Sequence, residues 1–175
     1  ECNPQISEKQ LREYYLPAYE ALVKRGKAAS IMAAYNAIND IPCTCNPWLL
    51  TKVLREDWGF DGYVVSDCGG PSFIYEAHEF VKKPETAAAL SLKAGLDLEC
   101  GDEVYMEPMR QAYRMGMVTD EDIDTAARRI LTARMKLGIF DSGKDNPYTR
   151  ISPDVIGSQK HQDIALQTAR EAIVL

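Results

Sequence analysis

Apolar residues recur along the chain in two alternating patterns, helical spacing and short unbroken runs. Leu11, Tyr14, Tyr15, Ala18, Ala21 and Leu22 fall at helical spacing behind Ser7-Glu8-Lys9-Gln10. That tetrad is a capping box, in which Ser7 and Gln10 can each satisfy the other's backbone N–H. Lys24, Arg25 and Gly26 suit the end of this helix. Residues 30–35, Ser-Ile-Met-Ala-Ala-Tyr, read as a short buried strand, and a polar loop with Asn39-Asp40 and Pro42 follows. Asn46-Pro47 sets an N-cap before a proline at the first helical position. The helix it opens carries Leu49, Leu50, Val53 and Leu54 and stops near Trp58-Gly59. A second apolar run, Tyr63-Val64-Val65, ends at Ser66-Asp67 and then at Gly69-Gly70-Pro71, which forces a turn.

After a loose helical turn over residues 72–80, Pro84 opens a helix over 85–94 that Gly95 ends. Leu96-Asp97-Leu98-Glu99-Cys100 reads as a third strand. An amphipathic helix is predicted over 103–115. A longer one starts at a Thr119 cap, with Asp120, Glu121 and Asp122 placed well for the helix dipole. Short β-branched runs alternating with helices predict a parallel α/β arrangement. Three strands do not close a barrel of the usual eight, and both ends look cut, so the expectation is a fragment. The composition changes after Phe140. Residues 1–140 are read as one domain, 141–157 as a linker and 158–175 as the truncated start of a second domain, closing on a strand at Ala172-Ile173-Val174-Leu175.

Composition narrows the function. At 175 residues, with 46% apolar and 26% charged residues, the chain is long enough for a real core. A net charge of −6 with scattered Lys and Arg argues against nucleic acid and anionic membranes as partners. No apolar run approaches the ~20 residues of a membrane span, and Glu1-Cys2-Asn3-Pro4 shows no signal peptide. Five cysteines without C-x-x-C spacing and two histidines argue against a zinc site. No glycine-rich phosphate loop is visible, so no metal or cofactor is expected.

The chemistry-bearing residue is Asp67. Alternation puts Tyr63, Val65 and Asp67 on one strand face, with Val64 and Ser66 on the other. A carboxylate at the end of a buried strand is costly unless its charge is paired or used. Either it caps a helix or meets a buried arginine, or it does chemistry, as side chains at that lip of an α/β barrel do. Cys68 and Cys100 follow the exits of neighbouring strands. Strand spacing of ~4.8 Å is compatible with a disulfide and equally with two buried free thiols, so both stay open.

Four stretches together carry a resemblance: Ile31-Met32-Ala33-Ala34-Tyr35-Asn36, Leu54-Arg55-Glu56-Asp57-Trp58-Gly59-Phe60-Asp61-Gly62, Val64-Val65-Ser66-Asp67 and Ala94-Gly95-Leu96-Asp97-Leu98-Glu99. In them the chain resembles glycoside hydrolase family 3 over nearly its whole length. The resemblance implies the last three strands of a (β/α)8 TIM-type barrel plus the linker to an α/β sandwich domain. It implies a retaining β-glycosidase with Asp67 as nucleophile and with Met32 and Tyr35 lining the sugar subsite. Many β-glucosidase members carry Trp after the nucleophile. Cys68 stands there instead, also facing the substrate, which resembles the β-xylosidase and α-L-arabinofuranosidase branch. A β-glucosidase of the same family is the alternative. Two further readings compete, a barrel piece that is non-catalytic alone and a barrel lyase using Asp67 as a base.

A retaining glycosidase needs a second carboxyl group about 5–5.5 Å from the nucleophile. The family's acid lies outside these residues, so the 175 residues alone are expected to be inactive without the remainder of the barrel and the second domain. His78 and His161 are read as surface or packing residues, and Glu76, Glu79 and Glu99 as solvated or structural. The expected partner is an oligosaccharide or aryl glycoside, and a periplasmic or secreted location is expected.

Overall fold

The computed structural model describes residues 2–101, 103–144 and 146–174, which fall into two compact units, Glu1–Arg134 and Met135–Leu175. The first begins on the predicted capping box: Ser7 Oγ accepts from the Gln10 N–H, and Gln10 Oε1 accepts from the Ser7 N–H. The single helix expected here is broken in two. Turns Glu8–Gln10 and Leu11–Tyr15 stop at Leu16, and a new helix runs Pro17–Lys24. Pro17 has no N–H with which to continue the ladder.

Strand β1 (Ser30–Ala33) stops two residues short of the expected end at Tyr35. The predicted loop beyond it contains a hairpin, β2 (Ala37–Ile38) against β3 (Ile41–Pro42). Asn39 and Asp40 make its two-residue turn with φ of 50° and 69°, the left-handed conformation such a turn requires. Asn39 exchanges two hydrogen bonds with the backbone of Ile6, and Asp40 Oδ1 accepts from Asn3 and Gln5, so residues 3–6 lie along the hairpin.

Strand β4 (Tyr63–Ser66) pairs in parallel with β1, Met32 opposite Val65 and Ala33 opposite Ser66. The third strand reduces to one parallel bridge between Val65 and Leu98. Its shortness has a cause. Asp97 and Leu98 both donate to the Val64 carbonyl, and the Glu99 carboxylate captures the Val104 and Tyr105 N–H groups, curling the chain away. The next helix consequently starts later than expected, at Glu107–Arg114.

One face of β1 and β4 is closed. Ala33 and Val64 pack with Val23, Leu50, Leu54 and Ala94 from the flanking helices, with Phe60 from the loop before β4 and with Leu96. Burying such side chains supplies about 1.5–3 kcal/mol each for the larger ones. The opposite face is open, with Met32 59% exposed. Helix Trp48–Asp57 supplies Leu50 and Leu54 and ends on a widened turn, Trp58 N–H to the Val53 carbonyl.

Helix Pro84–Ala94 stops at Gly95, whose φ is +106°. A Cβ there would sit 3.1 Å from Thr51 Oγ1. Gly95→Ala is therefore expected to destabilise the protein by about 1–2 kcal/mol, the cost of a left-handed L-residue, read as a lowered denaturation midpoint at unchanged slope.

Helix Asp120–Lys136 follows the predicted Thr119 cap, with Asp122 and Thr119 bonding each other's N–H. In the second unit, turns Pro147–Arg150 and Pro153–Val155 occupy the expected linker, and the last helix is Gln159–Ala172. The strand expected over 172–175 does not form among the described residues. Ala172 is helical and Ile173 and Val174 are unpaired with any strand, while Leu175 lies outside the described residues.

Candidate active site

The exit of β4 gathers three of the residues singled out from the sequence. Asp67 extends the ladder by one bond, its N–H donating to the Ala33 carbonyl at 3.0 Å. The chain then turns sharply, Gly70 N–H to the Asp67 carbonyl at 2.8 Å, with Gly69 at φ +72°. In this turn the Cys68 N–H folds back onto Asp67 Oδ1 at 2.8 Å. The donor to this carboxylate is thus the amide of the next residue.

Tyr35 stands two residues beyond the end of β1. Its hydroxyl donates to the Cys68 carbonyl and lies against the Asp67 carboxylate. Partial burial, then the Asp67 hydrogen bond and charge, raise the phenol above its ordinary value, so it stays a proton donor. Phe73 supports the ring at 4.8 Å between centroids. His78 Nε2 lies 2.8 Å from the Tyr35 carbonyl, which can only accept, so the expected packing histidine steadies this loop. Strand alternation would have separated Met32 from Tyr35. Because β1 ends at Ala33, Tyr35 escapes that rule, while the register puts Met32 on the face of Val65 and Asp67.

Cys68 and Cys100 are disulfide-bonded, with Cα atoms 4.4 Å apart, which decides between the two states the sequence left open. Backbone bonds run beside the bridge: Gly69 N–H to the Cys100 carbonyl at 2.8 Å, and Cys100 N–H to Ser66 Oγ at 3.0 Å. Cys43 and Cys45 are buried free thiols, which burial pushes up to about 11 and about 12. They are poor thiolates at neutral pH.

The buried arginine pairing considered for Asp67 belongs to Asp97. Its side chain is 1% exposed and holds Arg55 at 2.6 Å and Arg129 at 2.8 Å. It also accepts the Val64 N–H at 2.8 Å. Burial lowers the Arg55 guanidinium from its ordinary value, the Asp97 charge opposes this, and Arg129 adds to it. The signal was present in the sequence as a charge inside Leu96-Asp97-Leu98, where an unpaired carboxylate would be prohibitive. Glu99 is buried on backbone N–H groups, and Glu76 accepts from Ser72 at 3.0 Å. Among the described residues no cluster of three or more His, Cys, Asp or Glu could hold a metal.

Asp67 thus stands at the end of a parallel strand, its carboxylate accepting from one amide with the Tyr35 hydroxyl beside it. Residues 2–133 match the family model described as the glycosyl hydrolase family 3 N terminal domain. The chain is 40% identical over 174 residues to the probable beta-D-xylosidase 7 of Arabidopsis thaliana, covering 99% of this chain and 23% of that protein. A solved family 3 exo-beta-xylosidase, in complex with a xylobiose aziridine activity-based probe, superposes with a TM-score of 0.90. It is 32% identical and covers 99% of this chain and 22% of its own. A beta-glucosidase from Erythrobacter marinus superposes at 0.88, also 32% identical, over 99% of this chain and 23% of its own. The chain thus spans under a quarter of the length of these relatives.

Proposed function

Since the chain belongs to glycosyl hydrolase family 3, we propose that it is the C-terminal part of the barrel domain of a longer retaining exo-glycosidase acting on β-linked sugars, with Asp67 as nucleophile. The observation that carries this reading is the placement of Asp67. It extends the ladder at the exit of β4, on the face shared with Met32, with Cys68 N–H on one oxygen and the Tyr35 hydroxyl beside it. In the first step a carboxylate oxygen attacks the anomeric carbon and the glycosidic bond breaks as an acid from elsewhere in the protein protonates the leaving oxygen. In the second step water hydrolyses the glycosyl ester. Met32, Tyr35 and Cys68 border the bound sugar. Residues 141–157 then act as the linker, and 158–175 open the sandwich domain.

Within the family, β-xylosidase or α-L-arabinofuranosidase activity is favoured over β-glucosidase. The two superpositions, at 0.90 and 0.88, do not separate the branches. Asp67-Cys68-Gly69, with its disulfide to Cys100, supports the first. The disulfide also supports an oxidising compartment, periplasmic or extracellular.

The test is labelling of the full-length protein with an aryl 2-deoxy-2-fluoro-β-xyloside, followed by peptide mapping. The fluorine slows both steps and lets the ester accumulate. The adduct is expected on the peptide carrying Asp67. Full inactivation with the adduct on another carboxylate would remove Asp67 from the role, and no adduct with any fluoro-sugar would favour a non-catalytic barrel piece.

A further inference from the structure

Cys68 is held from three sides. Its sulfur is bonded to Cys100, its carbonyl accepts the Tyr35 hydroxyl, and its amide donates to Asp67 Oδ1. Cys100 is itself fixed by its N–H on Ser66 Oγ and its carbonyl on Gly69 N–H. The residue is nonetheless exposed, so packing does not immobilise it. The covalent bridge therefore bears on the orientation of one peptide amide, and that amide touches the carboxylate.

We propose that the Cys68–Cys100 disulfide is a positioning element for the reaction, holding the Cys68 N–H on Asp67 so that the free carboxylate oxygen faces the anomeric carbon. The proposal rests on Asp67 being the nucleophile. Without the bridge, Cys68 is tied to the Cys100 segment only by the Gly69 N–H on the Cys100 carbonyl, and the glycines that follow do not restrict φ on that side of the turn, so the Asp67–Cys68 peptide loses its covalent restraint. The carboxylate then loses its preferred rotamer, although the strand beneath it, paired through Ser66 and Leu98, stays in place. Small misplacements of a reacting group cost about ten- to a hundredfold in rate.

The experiment uses the full-length protein and its Cys100→Ser variant, which breaks the bridge and leaves Cys68 in place, with a parallel arm in which the native protein is reduced by a thiol and reoxidised. For an aryl β-xyloside, kcat is expected to fall about ten- to a hundredfold while KM changes less than about twofold. Reoxidation should restore kcat. A second comparison separates positioning from general loosening. In an Asp67→Ala background, azide replaces the nucleophile, and the amide has no carboxylate to hold. There, removing the bridge should leave the azide-supported rate within about twofold. Unchanged kcat after complete loss of the bridge, confirmed by mass, would overturn the proposal. So would an equal loss in the azide-supported reaction, which would make the bridge merely structural. The Asp67 assignment fails on different evidence, namely near-normal activity of Asp67→Ala without azide.

Discussion

Asp67→Ala in the full-length protein is expected to lower kcat on aryl β-glycosides by about 10⁴- to 10⁶-fold, the range seen when a covalent nucleophile is deleted. The fold should survive, because nothing in the core depends on this side chain. It is partly exposed, accepts from the Cys68 amide and has the Tyr35 hydroxyl beside it. The Cys68 amide can turn to water when the carboxylate is gone, and the Tyr35 hydroxyl keeps its bond to the Cys68 carbonyl. The truncation leaves a small space on the face from which the nucleophile attacked, and azide or formate should enter it. The rescued product should then carry inverted anomeric configuration, since one displacement replaces two. Rates within about tenfold of wild type, without added anion, would show that the ester forms elsewhere or not at all.

Asp97→Ala is expected to have the opposite profile, with large effects on folding. The substitution strands Arg55, whose side chain is only 10% exposed, and leaves the Val64 N–H without its side-chain partner. Removing one member of a buried ion pair costs about 3–5 kcal/mol, a large share of the ~5–15 kcal/mol that holds a typical domain together. Arg55 Nε already lacks a hydrogen-bond partner among the described residues, and the guanidinium would be left on the neutral Gly62 and Gly95 carbonyls at 3.0 and 3.4 Å with no counter-charge from Asp97. Asp97→Asn should be milder, because an amide oxygen can still accept from Val64 or Arg55. Denaturation in urea of both variants checks this. A loss under about 1 kcal/mol for alanine would mean that water enters and solvates Arg55.

The elements themselves were largely legible in the sequence, for local reasons. The Ser7–Gln10 and Thr119–Asp122 caps, Pro84 and Gly95 act within a few residues, and each stands where its spacing placed it. What was hidden depended on partners distant in sequence. Asp97 meets Arg55 and Arg129, 42 and 32 residues away, and no local pattern reveals which charge a buried carboxylate will find. The third strand was overread because apolar alternation in Leu96–Cys100 does not reveal that the Glu99 carboxylate turns back to take two amides. Around Asp67 the residue types were readable, but its amide donor came from a turn whose geometry needs Gly69 at positive φ.

The Asn39–Asp40 hairpin has a consequence for how the site comes apart. By binding Asn3, Gln5 and Ile6, and by pairing Ala37 and Asn39 with the Cys2 and Pro4 carbonyls, it closes residues 2–42 into a loop that begins and ends at one place. Within it β1, Val23 and Ala33 are held by the core, so the part expected to open at less than the global free energy is the stretch beyond β1, residues 34–42 with the N-terminal residues paired to it. Tyr35 belongs to that unit, whereas Asp67, Cys68 and Cys100 do not. A subglobal opening would therefore withdraw the phenol and leave the carboxylate and its amide clamp behind, so the two halves of the site are expected to have different lifetimes.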